Sequence, residues 1–98
     1  MSEIPATPRE IVVQHNVGAK RFEARVDGYL SVVDYTFEGD VVVFTHTLVP
    51  PELRGRGLAE KLVRAALAWA TAEKRRIVPA CSYVDTFVRR HPEFQTLL

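Results

Sequence analysis

Apolar and polar positions change their rhythm once along this chain. From Arg21 to Val26, Phe22, Ala24 and Val26 alternate with Arg21, Glu23 and Arg25, the two-residue period of a strand with one wet face. A shorter β-rich run, Glu10 to Asn16, precedes it across a Gly18-containing turn. Asp27-Gly28 predicts a tight hairpin turn into the β-branched and aromatic run Tyr29 to Gly39, and Glu38 to Asp40 a third turn. Val41 to Val49 is apolar on both alternate sets, which predicts a central strand covered on both faces. After Leu58 the period lengthens: Leu58, Leu62, Ala65, Trp69 and Ala72 form one stripe of a helix, with Glu60, Lys61, Arg64 and Thr71 away from it. Arg76 to Cys81 reads as a fifth strand. Tyr83 to Arg90 reads as a last short helix that stops before Pro92, because the residue before a proline disfavours the α region.

The pattern predicts an α+β (α/β) fold, a mostly antiparallel mixed sheet of about five strands with one long helix and a short C-terminal helix. Residues 1–9, with two prolines and no periodicity, read as a flexible arm, and 10–98 as a single domain. No internal repeat is present.

Composition narrows the function classes. A chain with 47% hydrophobic and 26% charged residues is that of a globular protein. The formal net charge of +1 hides an asymmetry: residues 1–50 hold four Lys/Arg against seven Asp/Glu, and 51–98 hold nine against five. The second half is the side for an anionic ligand, whereas its few aromatic residues argue against nucleic acid. Cys81 is the sole cysteine, so no internal disulfide is possible, and no Cys/His spacing suggests a metal. No run nears the roughly 20 apolar residues of a membrane span. The expected compartment is the cytoplasm, with no membrane partner.

The segment Val49-Pro-Pro-Glu-Leu-Arg-Gly-Arg-Gly-Leu-Ala59 joins the fourth strand to the long helix. A helix start leaves four backbone N–H groups without partners and carries a partial positive charge. The residues before Leu58 are Gly-Arg-Gly, with no capping side chain closer than Glu52. Glycines let backbone N–H groups turn outward and let a bulky phosphate approach, and two arginines add attraction. Arg54, Gly55, Arg56, Gly57, Leu58 and Ala59 therefore form a candidate anion cradle; a plain tight turn with solvated arginines is the bland alternative.

This segment closely resembles the coenzyme-A-binding motif of the GNAT acyltransferase superfamily, R/Q-x-x-G-x-G/A, with Arg54, Gly57 and Ala59 at the fixed places. Phe44 to Val63 together with Val78 to Phe94 resembles a subgroup of very small GNAT-like N-acetyltransferases. The resemblance implies a minimal GNAT fold. It also implies acetyl-CoA as co-substrate without a metal, its pyrophosphate on the backbone of about Arg56 to Ala59, and pantetheine pairing with Thr47, Leu48 and Val49 between two splayed parallel strands. The acceptor would be an amine of a small molecule or peptide. A full GNAT domain carries extra helices between its first strands, for which this chain has no room, so the acceptor side should be open; monomer and weak dimer both fit.

Acetyl transfer from a thioester to an amine needs a deprotonated nucleophile and a proton for the leaving thiolate. His46, on the central strand, is a candidate base. Cys81, just past the fifth strand, is a candidate nucleophile or proton donor, and Tyr83 a second acid. Each also has an ordinary structural reading: a strand histidine, a small buried thiol, an aromatic at a helix start. A coenzyme-A-binding module without catalysis is the alternative function.

Overall fold

The computed structural model describes residues 11–98, so the expected arm at 1–9 lies outside the described residues. Five strands form one sheet in chain order: β1 (Gln14–Asn16), β2 (Arg21–Val26), β3 (Tyr29–Glu38), β4 (Val41–Leu48) and β5 (Ile77–Pro79). Pairs β1–β2, β2–β3 and β3–β4 are antiparallel, and β4–β5 is parallel. Helix α1 (Leu58–Ala72) makes the crossover between β4 and β5, and α2 (Ser82–Arg90) follows. Short 3₁₀ turns at Pro51–Leu53 and Pro92–Leu97 complete the chain.

The Asp27-Gly28 hairpin forms as its residues dictate. Both sit at positive φ, 53° and 82°, the pairing that a two-residue primed turn requires and that Asp and Gly tolerate. On β2 and β3 the alternation sends Phe22, Ala24, Val33 and Tyr35 into a single core with Val42, Phe44 and Ile77. Helices α1 and α2 contribute Leu62, Val63, Leu67, Val84 and Val88 to that same core, so both helices cover the same face of the sheet. Burying each such side chain contributes roughly 1.5–3 kcal/mol before the cost of ordering it.

Two sequence expectations change. The strand expected to be covered on both faces is covered on one: Val42 and Phe44 are buried, Val41 and Val43 only half-buried. Both helices lie across one side, and the apolar residues of the other shelter one another laterally, Val43 beside Thr36 and Val78. The buried face of α1 is also broader than the single stripe, comprising Leu58, Leu62, Val63, Ala66, Leu67 and Ala70, while Ala72 is exposed. A helix lodged between a sheet and a second helix buries two adjoining stripes.

At the far end from the α1 start, His15 stacks on Phe22 at 4.1 Å, meets Trp69 edge-on at 4.8 Å and shares a 2.7 Å hydrogen bond with Tyr35 Oη. The cluster ties β1 and α1 to the sheet. Burial holds the His15 pKa below its usual value, against the opposing charge of Glu73. The unfolded chain therefore binds this proton more readily than the folded one, and stability present above the ordinary histidine pKa is lost as pH falls toward the lowered value. Urea midpoints at about pH 7.5 and about pH 5 should show this loss, and His15→Phe should reduce it; equal pH dependence in the variant would assign the effect elsewhere.

Candidate functional site

Strand β4 organises the site. Its register against β3 shifts between Asp34 and Tyr35: Phe44 lies opposite Tyr35, but His46 lies opposite Asp34, so Thr45 is an inserted residue. The bulge reverses the alternation. Thr47, opposite Val33, points to the helix side, whereas His46 and Leu48, opposite Asp34 and Val32, point to the face without helices, where both are exposed.

The β4–β5 ladder is short, pairing only Val42 with Ile77, Val43 with Val78 and Phe44 with Pro79. One further backbone bond, Cys81 N–H to the Phe44 carbonyl at 2.9 Å, closes it. Beyond that bond β4 runs on through Thr47 and Leu48 while the other chain turns into α2. The two parallel strands thus part at Phe44.

Cys81 stands in this gap as the residue preceding α2, half-buried, its thiol donating to Thr47 Oγ1 at 3.4 Å. Burial pushes its pKa up. The Thr47 hydroxyl and the backbone N–H groups of Val84, Tyr83 and Thr47 favour the thiolate more strongly, and the net shift is downward.

At the open end of β4 the chain passes the Pro51–Leu53 turn into Arg54 to Gly57. Gly55 and Gly57 both adopt positive φ, 85° and 77°, and the space where a Cβ would stand is empty at each. Gly57 occupies the capping position of α1, and no side chain caps the helix. The start of α1 faces a cleft of about 240 Å³ lined by Val49, Leu53, Arg54, Gly55, Gly57, Leu58, Ala59, Glu60 and Tyr83. Uncapped N–H groups, room above two glycines and an open cleft fit a bulky anionic group. Arg54 Nε donates to the Val49 carbonyl at 3.1 Å, which ties the loop to the end of β4.

Of the residues singled out in the sequence, this cleft gathers Val49, Arg54, Gly55, Gly57, Leu58, Ala59 and Tyr83. Thr47 and Cys81 meet in the strand gap, and His46 and Leu48 lie on the open face. Arg56 is turned to Asp27 at 3.0 Å. Sequence reading missed Leu53, Glu60 and Asp27. Glu60 was legible as a first-turn acid, and its carboxylate is held by Arg64 at 3.1 Å. The Tyr83 phenol is kept protonated by burial and then by the charge of Glu60, which outweigh Arg90. Among the described residues no group of three His, Cys, Asp or Glu could hold a metal ion, and no helix is long and apolar enough to cross a membrane.

Comparison with known proteins gives a consistent result. The family model described as GCN5-related N-acetyl-transferase matches residues 21–97. The protein NATD1 of Bos taurus is 34% identical, over 90% of this chain and 83% of its own. NATD1 of Mus musculus is 33% identical, over 84% and 77%. The solution structure of a GCN5-like protein from Staphylococcus aureus superposes with a TM-score of 0.70 at 26% identity, covering 93% of this chain and 88% of that one.

The environment of Cys81 sets a measurable expectation. Its alkylation by iodoacetamide should have a pH midpoint below that of an unperturbed thiol, and Thr47→Val should move the midpoint up by removing the hydroxyl. An unchanged midpoint in Thr47→Val would assign the effect to the backbone N–H groups alone.

Proposed function

The chain belongs to the GCN5-related N-acetyltransferase family, and we propose that it binds acetyl-CoA and transfers the acetyl group to an amine. The observation that carries this reading is the uncapped Gly57 start of α1, opening on a cleft beside the point where β4 and β5 part. The backbone N–H groups of Arg56 to Ala59 would hold the pyrophosphate, and the backbone of Thr47, Leu48 and Val49 the pantetheine arm. Acetyl-CoA supplies an activated thioester carbonyl. The protein supplies position and proton management.

Transfer breaks the thioester C–S bond, forms a C–N bond, takes one proton from the amine and gives one to the departing sulfur. Cys81, whose ionised form is stabilised, suits attack on the carbonyl better than proton donation. Tyr83, kept protonated and placed in the cleft, suits donation. His46 faces the helix-free side of the sheet, from which an amine could approach, and is the candidate base there. The same exposure of His46, which is not among the residues lining the cleft, favours the second reading, a coenzyme-binding module without turnover.

Calorimetric titration with acetyl-CoA tests the binding. Wild type should bind, and Gly57→Asp, which places a carboxylate over the helix start, should weaken binding at least roughly tenfold, about 1.4 kcal/mol. Aspartate tolerates the left-handed backbone better than most residues, so the variant should fold. Silence from the wild-type titration would dispose of both readings. The route is read from intact mass after incubation with acetyl-CoA: an acetyl adduct that Cys81→Ala lacks marks a covalent route, and an unmodified wild type that still acetylates an amine marks direct transfer.

A further inference from the structure

Resting on the coenzyme reading above, we propose that Asp27, in the β2–β3 turn, is a positioning residue that holds Arg56 and keeps the affinity of the loop for its anionic ligand in check. The two residues lie 29 apart in sequence and join through Arg56 Nη1 and Asp27 Oδ2 at 3.0 Å. Topology brings them together. Strand β3 pairs with β4 through Val32 opposite Leu48, so the turn preceding β3 projects past the end of β4, where the Arg54–Gly57 loop begins.

The loop has two cations, and they are engaged differently. Arg54 donates to the Val49 carbonyl and forms part of the frame of the loop. Arg54 uses only its Nε there and lines the cleft, whereas Arg56 lies outside the cleft lining with a carboxylate as its partner, so that pair presents little net charge to an incoming anion. The other acid at the site, Glu60, is held by Arg64 at 3.1 Å and does not compete for Arg56. An anion on the Gly57 end of α1 that draws on Arg56 must either share that guanidinium with Asp27 or displace Asp27 from it.

The turn itself does not require that charge. At φ 53° followed by Gly28 at 82°, asparagine serves as well as aspartate. Asp27→Asn therefore separates the geometry of the turn from its electrostatics.

Titration of coenzyme A into four proteins tests the proposal: wild type, Asp27→Asn, Arg56→Gln and the double variant. At low salt Asp27→Asn should bind roughly two- to fivefold tighter than wild type, the range of an exposed ion pair, and the gain should shrink as salt rises. Arg56→Gln should bind more weakly, and adding Asp27→Asn to it should change nothing further. Two results overturn the proposal while leaving the coenzyme reading intact: Asp27→Asn no tighter than wild type, or an equal gain in the Arg56→Gln background, which would mean that Asp27 acts without Arg56. No binding of coenzyme A by wild type removes the coenzyme reading, and this proposal with it.

Discussion

The parallel pairing of β5 with β4 is the constraint from which the rest of the site follows. Parallel neighbours need a crossover of a dozen or more residues, and here α1 is that crossover. Its start is thereby fixed at the C-terminal end of β4, the end of a parallel strand pair where ligands collect in open α/β sheets. Because the ladder is only three pairs long, β4 extends past it, and on the β5 side its last residues face a gap instead of a neighbour. An antiparallel β5 would have entered beside that same end of β4 after a short turn, with no helix needed to carry the chain back along the sheet.

Within that frame the site divides into a backbone part and a side-chain part. The backbone part is the Gly55–Gly57 loop, where positive φ values and missing Cβ atoms expose N–H groups that a capped helix would have satisfied. The side-chain part is smaller: Cys81 against Thr47 in the gap, Tyr83 beside Glu60 in the cleft. A net charge of +1 does not argue against the proposed anion at this loop, since oriented N–H groups and nearby arginines act locally whatever the total charge of the molecule. The aromatic cluster of His15, Phe22, Tyr35 and Trp69 stands at the opposite end and serves stability.

The strands, the helix positions and the uncapped glycine loop before α1 were legible because each depends on neighbours in sequence. Alternation in β2 marks a strand, Asp27-Gly28 marks a primed turn, and Gly-Arg-Gly before Leu58 marks an uncapped helix start. The single stripe drawn on α1 was too narrow because a helix wheel registers hydrophobic positions and not how many partners surround them. Ala66 and Ala70, weak signals in a sequence, are fully buried because small side chains let the helix approach the sheet closely.

The sequence by itself determined the elements, their order and the backbone chemistry of the Arg54–Ala59 loop, since those are set by residue type and by interactions a few positions long. Only the tertiary structure decided which side chains share the site. The bulge at Thr45 exists only against Asp34 of another strand, and that single extra residue sends Thr47 toward Cys81 while turning His46 and Leu48 to the other face. Likewise Arg56 finds Asp27 only because a hairpin tip extends past the end of β4. Strand register and long-range ion pairs depend on how distant segments align in space, and no local pattern records that alignment.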